Sequence, residues 1–199
     1  MRIAIIGAGN VGGGLGAAFR AVGHYVVFGV RDVTSQKTRA AVDAAPGAVA
    51  AEPAEAVRDA DVVAFALRWD AVPETVAEIG GLQGRIVIDA MNRFSDPLRS
   101  TTQDLADLLP GAKLAKAFNT IGFENLTTAR GRAVPAAMFV AGDDPDAKRV
   151  AMDLAAEIGF VGEDAGPLAN AKILEDMVRL WLVLSQKHGR QVGYAVSLG

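Results

Sequence analysis

The chain of 199 residues contains no cysteine and only two histidines. Without thiols there is no disulfide, no thiolate nucleophile and no sulfur-ligated metal, and two histidines leave little for an imidazole-based metal site. Basic clusters are missing as well. The formal net charge is −3 and the Lys and Arg residues are scattered, so the sequence carries no electrostatic footprint for nucleic acid. No apolar run approaches the roughly eighteen residues of a membrane span; the best, Leu180 to Leu184, is far shorter. Residues 1–22 have the outline of a secretory leader, but Asn10 and six glycines interrupt the apolar stretch. The chain is therefore read as a soluble, cytoplasmic protein.

Apolar residues and glycine are what it has in quantity: 51% of the residues are hydrophobic, enough to bury a full core, and the length fits one α/β domain with a short addition. The glycines gather at the start. Ile3 to Ile6 read as a buried parallel strand, and Gly7, Gly9 and Gly12 match the G-x-G-x-x-G fingerprint of a dinucleotide-binding turn. Gly7 permits the tight turn, Gly9 leaves room for a pyrophosphate against the backbone, and Gly12 lets the following helix lie on the sheet. That helix, about residues 10–22, presents free N–H groups and a positive dipole end to the phosphates. Gly13, Gly14 and Gly16 each weaken it by about 1 kcal/mol relative to alanine, which implies close neighbours.

Strand and helix patterns alternate to about residue 165, predicting a doubly wound, mostly parallel Rossmann-type sheet. Strands are expected at 2–6, 25–29, 47–50, 61–66, 85–89, 113–118, 136–141 and 159–162. Helices are expected at about 10–22, 35–44, 53–58, 70–79, 101–108 and 145–157. Residues 1–165 form the nucleotide-binding domain on this reading, and 166–199 a helical extension packed on it. Gly166-Pro167 opens the last helix, which runs to about His188 and spreads apolar residues beyond one stripe. One face can cover the sheet while another needs a different partner, so a homodimer through this helix and the tail 189–199 is expected.

An acidic residue about twenty positions past the glycines usually accepts the ribose 2′-hydroxyl in NAD sites. Here Val30 stands near that place and Arg31 follows, with Thr34, Ser35 and Lys37 close behind. A cationic, hydroxyl-bearing loop suits a 2′-phosphate and hence NADP(H). Asp32 opposes this unless it points away or pairs with Lys37 or Arg39.

In open α/β sheets the ligand lies beyond the carboxyl ends of the strands. Those positions hold Leu67-Arg68-Trp69-Asp70, Ala90-Met91-Asn92-Arg93 and Asn119-Thr120-Ile121-Gly122. Small and amide-bearing residues there can hydrogen-bond a nicotinamide carboxamide or the edge of a flat heterocycle. Taken singly, Asn92 and Asn119 also fit as turn formers and Trp69 as packing. His24, on the amino-end side of its strand, is read as structural, and His188 as a cation at a helix carboxyl end.

With these residues in place, the chain resembles the NADPH-dependent oxidoreductases that use the deazaflavin coenzyme F420, and the related flavin-using domain of six-transmembrane metalloreductases. The resemblance runs over nearly the whole length. It rests on Gly7-Ala-Gly-Asn-Val-Gly12, Gly29-Val-Arg31, Asp89-Ala-Met-Asn92, Lys116-Ala-Phe-Asn-Thr120 and Asp164-Ala-Gly-Pro-Leu168. It implies NADP(H) in the glycine cleft, its 2′-phosphate near Arg31, and F420 or a flavin such as FMN or FAD stacked on the nicotinamide. By position, Asn10, Val11, Arg31, Leu67 and Trp69 would contact NADP(H), with Met91, Asn92, Asn119 and Thr120 near the meeting rings. Val30 departs from the family's usual serine, which removes one phosphate hydrogen bond.

Hydride transfer between stacked rings needs the reacting carbons held at about 3–3.5 Å and no dedicated acid or base. Two other functions fit the same residues. An NADPH-dependent dehydrogenase or imine reductase would use a catalytic lysine or acid, for which Lys172 is the candidate, although a lone lysine there is more simply a solvated charge. A non-catalytic NADP(H)-sensing module would need no acceptor pocket.

Overall fold

The computed structural model describes residues 1–197. Elements alternate from the first residue: β1 (Arg2–Ile6), α1 (Asn10–Ala21), β2 (Tyr25–Gly29), α2 (Gln36–Asp43), β3 (Val49–Ala51), α3 (Pro53–Val57) and β4 (Val62–Phe65). They continue with α4 (Val72–Ile79), β5 (Ile86–Asp89), α5 (Thr101–Leu108), β6 (Lys113–Lys116), β7 (Ala137–Val140), α6 (Pro145–Glu157), β8 (Val161–Asp164) and α7 (Ala171–His188).

Six strands form one parallel sheet in the order β3-β2-β1-β4-β5-β6. The apolar run Ile3–Ile6 explains why β1 is central, since a strand covered by helices on both faces buries every side chain. Ile3 and Ile5 pack with Leu15 and Phe19 of α1, in the same apolar layer as Val150 and Leu154 of α6. Ala4 and Ile6 face the opposite layer, with Val57 of α3, Val76 of α4 and Leu105 of α5. The order reverses between β1 and β4, and the chain ends there open outward together.

Helix starts follow local chemistry. Ser35 accepts the Thr38 N–H, Ser100 and Gln103 form a reciprocal capping box, and Asp144 caps α6 ahead of Pro145. Beyond shifts of one or two residues at element ends, such as β3 and β8 starting two residues later than expected, the structure departs from the sequence expectation in four places. The strand expected over 113–118 stops at Lys116, because Phe118 turns into the left-handed region (φ 61°). The helix expected from residue 70 begins as a single 3₁₀ turn, Trp69–Ala71. Pro167 precedes the last helix instead of sitting in its first turn: its backbone is extended (ψ 165°), and a 3₁₀ turn, Leu168–Asn170, intervenes before α7. Finally, β7 and β8 pair in parallel as a separate two-stranded sheet, joined to β6 through one antiparallel bridge, Lys116 to Ala141.

Helix α7 buries Leu174, Glu175, Val178 and Trp181 and leaves Ile173, Leu180, Leu182 and Val183 exposed. The tail folds back beside it: Trp181 Nε1 donates to the Val192 carbonyl, Tyr194 Oη to the Met177 carbonyl, and the Ala137 N–H to the Tyr194 carbonyl. Residues 198 and 199 of the expected tail contact lie outside the described residues. Among those described, no helix is long and apolar enough to cross a membrane.

Candidate functional site

The glycine turn after β1 has the geometry its sequence requires. Gly7 adopts φ 107°, donates its N–H to the Gly29 carbonyl, and has the Ala66 carbonyl oxygen 2.7 Å from where a Cβ would stand. A Cβ on Gly12 would collide with the Gly7 carbonyl, so α1 can start this close to the strand only with glycine there. The close neighbour expected for Gly16 is the Phe28 ring. Gly9 precedes α1 and supplies no capping side chain, so the first N–H groups of the helix have no side-chain acceptor.

These groups open into a cleft of 740 Å³ whose walls include Gly7, Gly9, Asn10, Val11, Arg31 and Leu67. Lys37, from the first turn of α2, reaches over the turn: its Nζ lies 3.5 Å from the position of a Cβ on Gly9. No carboxylate among the described residues is within ion-pairing distance of it. An uncapped helix start with an ammonium above it is an anion cradle. It fits the pyrophosphate of a dinucleotide.

Arg31 sits at the outer end, where the cleft meets a second hollow of 480 Å³ lined by Glu52 and Glu78. Its Nη1 is 2.7 Å from Glu74 Oε2 of α4, and both side chains are solvent-exposed. Asp32 does not pair with Lys37 or Arg39. It accepts hydrogen bonds from the hydroxyl and N–H of Thr34, both at 2.8 Å. The Thr34 hydroxyl, then its N–H, hold the Asp32 carboxyl below the ordinary carboxylate range.

The remaining expected residues form a second group behind the cleft. Trp69 does not line it; its ring lies under the Arg93 guanidinium, 4.7 Å from the centroid. Gly12 is buried at the helix–strand contact, and Met91, Asn119 and Thr120 are buried as well, with Asn92 half-buried. Asn119 Nδ2 donates to Asn92 Oδ1 (2.9 Å) and the Leu174 carbonyl (3.0 Å), and Asn92 Nδ2 donates to the Asn119 carbonyl (3.2 Å). Asn119 Oδ1 and Thr120 Oγ1 are buried without any hydrogen-bond partner. Native interiors seldom leave such atoms unpaired; both atoms are closed off from solvent and neither residue lines the cleft, so they stand as unmet hydrogen-bonding groups behind it.

Sequence reasoning missed the charged cluster beneath this rim. Lys116, at the end of β6 and wholly buried, has four acceptors around the three N–H groups of its Nζ: the Met91 carbonyl (2.6 Å), Thr101 Oγ1 (2.8 Å), Glu175 Oε1 (2.9 Å) and Asp89 Oδ2 (3.1 Å). Asp89 Oδ1 accepts the Met91 N–H at 2.8 Å, so both backbone groups of Met91 are held by side chains. The available signal was a lysine closing an apolar strand, an aspartate closing its neighbour, and a glutamate on the buried face of α7.

Lys172 is not a freely solvated charge. Its side chain is only 13% exposed and its Nζ lies 2.5 Å from Asp176 Oδ1. His24 has a structural environment, with Nε2 2.5 Å from Glu157 Oε2 and Nδ1 beside the Met1 amino group. Among the described residues no group of three or more His, Asp or Glu side chains could hold a metal ion.

Comparisons with known proteins place these features. Residues 2–93 match the model of a family described as NADP oxidoreductase, coenzyme F420-dependent. A protein from Arthrobacter sp. FB24, described as a candidate F420-dependent NADP reductase, superposes over the full length of both chains with a TM-score of 0.84 at 23% identity. Hypothetical protein SMa0349 from Sinorhizobium meliloti is 30% identical, with a TM-score of 0.73 over 85% of this chain and 86% of its own. An imine reductase from Streptomyces aurantiacus shares the fold at 18% identity and a TM-score of 0.69. That match covers 92% of this chain and 61% of the imine reductase, which carries additional structure.

Proposed function

We propose that this chain, whose residues 2–93 match the family of coenzyme F420-dependent NADP oxidoreductases, transfers a hydride between NADPH and a deazaflavin such as F420 or a flavin. The observation that carries the reading is the anion cradle: the uncapped start of α1, with Lys37 Nζ held over Gly9. Asn10 and Val11 would offer backbone N–H groups to the pyrophosphate, and Lys37 a charge-assisted bond. Arg31 is the side chain for a 2′-phosphate, once released from Glu74.

NADPH supplies a hydride at its nicotinamide ring, and the protein's task is to fix that ring against the acceptor and keep water out. Leu67 provides an apolar wall of the cleft. Asn119 and Thr120 carry buried, unpartnered polar atoms at the rim, and the mutual bonds of Asn92 and Asn119 fix the Asn119 amide. Residues 1–165 are read as the nucleotide-binding unit and 166–199 as its helical extension. The exposed Ile173, Leu180, Leu182 and Val183 on α7 support a homodimer through that helix.

The test is one assay. Purified protein and NADPH are mixed with F420, FMN, FAD or a ferric chelate and the absorbance of each partner is followed. NADPH-dependent reduction of F420 or a flavin is expected. Tight NADPH binding with no turnover of any acceptor would reject hydride transfer in favour of a nucleotide-binding module.

A further inference from the structure

We propose that Glu175 on α7, acting through Lys116, is a positioning residue for the reactive rim, so that the seating of the last helix sets the geometry of Met91 and Asn92. This rests on the reading that the rim faces the nicotinamide end of the cleft.

The rim is tied to α7 twice. Glu175 Oε1 accepts Lys116 Nζ (2.9 Å) and the Thr101 N–H (2.8 Å), and shares the single proton of the Thr101 hydroxyl (2.8 Å) with Asp89 Oδ2 (2.5 Å). Lys116 passes the constraint on by donating to the Met91 carbonyl at 2.6 Å. One residue earlier on α7, the Leu174 carbonyl accepts Asn119 Nδ2, which also binds Asn92 Oδ1. Glu175, Lys116, Asp89 and Thr101 are all fully buried. Charges in such a place are costly unless paired, and Glu175 Oε2 has no hydrogen-bond partner, so the carboxylate is held through Oε1 alone and displacing any partner of that oxygen is costly. A helix serving only as a cover could make this contact with apolar side chains. Here it places a carboxylate under the strand ends and a carbonyl beside Asn119, and both lead to Met91–Asn92.

Glu175 is separable from nucleotide affinity, because the anion cradle and Lys37 line the cleft and Met91, Asn92, Asn119 and Thr120 do not. In Glu175→Gln the single-turnover rate of hydride transfer from NADPH to F420 or FMN is expected to fall at least tenfold, while the Kd for NADPH stays within about twofold. Glu175→Asp keeps the charge but withdraws it from Lys116, and should show the same split if the glutamine variant fails to fold. Leu154→Ala, a core truncation on α6, supplies a variant with lowered Tm and an unchanged transfer rate; a rate that instead tracks Tm across all three variants would overturn the proposal.

A readout without turnover separates this proposal from the reading beneath it. Saturating NADP⁺ is expected to slow backbone amide exchange over residues 171–178 in the unmodified protein and to leave it unprotected in the Glu175 variants. Equal protection in both, or none in either, overturns the coupling whether or not F420 or a flavin is reduced. Failure of the unmodified protein to reduce any acceptor rejects the hydride-transfer reading alone.

Discussion

Arg31 and Glu74 are joined across the mouth of the cleft, Nη1 to Oε2 at 2.7 Å, so the guanidinium expected to receive a 2′-phosphate is already matched with a carboxylate. A dianionic group arriving there competes with Glu74. The pair is exposed, and such pairs contribute at most about 1 kcal/mol. Glu74→Gln should therefore tighten NADPH binding by up to about fivefold and leave NADH binding unchanged. Calorimetric titration of both nucleotides checks it, and weaker NADPH binding would mean that Glu74 holds Arg31 in place for the phosphate.

Lys37 over Gly9 makes a different prediction, because the pyrophosphate is common to NADH and NADPH. Lys37→Met should weaken both about tenfold, the value of one charge-assisted hydrogen bond, and flatten the salt dependence of binding. A loss confined to NADPH would move Lys37 to the 2′-phosphate.

Asn119→Ala removes the unpartnered Oδ1 together with the bonds to Asn92 and Leu174. Acceptor reduction should fall by tenfold or more, with NADPH affinity changed by less than about threefold. Unchanged turnover would take Asn119 out of the reacting region.

Lys172 tests the rival chemistry. Its ion pair with Asp176 occupies the ammonium, so Lys172→Ala is expected to keep activity within about twofold of the unmodified protein. Activity abolished with NADPH binding intact would instead identify a catalytic lysine and a dehydrogenase or imine reductase.

Acid should loosen the turn into α7 through Asp164. Lys148 Nζ and the Gly166 N–H hold its carboxyl below the usual range. A folded-state value below the unfolded one contributes stability above the unfolded value, about 3.9, that is lost as pH falls through the folded value. The Tm of the unmodified protein should therefore fall more steeply below about pH 4 than that of Asp164→Asn. Parallel slopes would show that Asp164 contributes nothing to acid sensitivity.

The parts of this protein that obey local rules were legible in its sequence. Apolar runs located all eight strands, and Gly7 and Gly12 located the cleft because only glycine fits there. Asp144 and Pro145 marked the start of α6 for the same local reason. What escaped depends on contacts far apart in the chain. Phe118 has no intrinsic preference for a left-handed backbone, so nothing nearby signalled that β6 stops at Lys116. The burial of Lys116 depends on Glu175, fifty-nine positions away, and no periodicity reveals such a pairing. Lys37 appeared as one member of a basic loop, and only the orientation of α2 brought it over Gly9.

Phe118 carries one more consequence. Its reversed backbone is held by the Phe19 ring, edge-on at 5.8 Å, and by an N–H donated to Met138 Sδ. Phe19 belongs to α1, whose start forms the anion cradle, and Phe118 sets the direction in which the chain delivers Asn119. The helix at the cleft and the rim behind it thus share a ring-to-ring contact. A change at Phe19 would therefore reach both the seating of α1 and the aim of Asn119, so the helix behind the anion cradle and the rim cannot be remodelled independently.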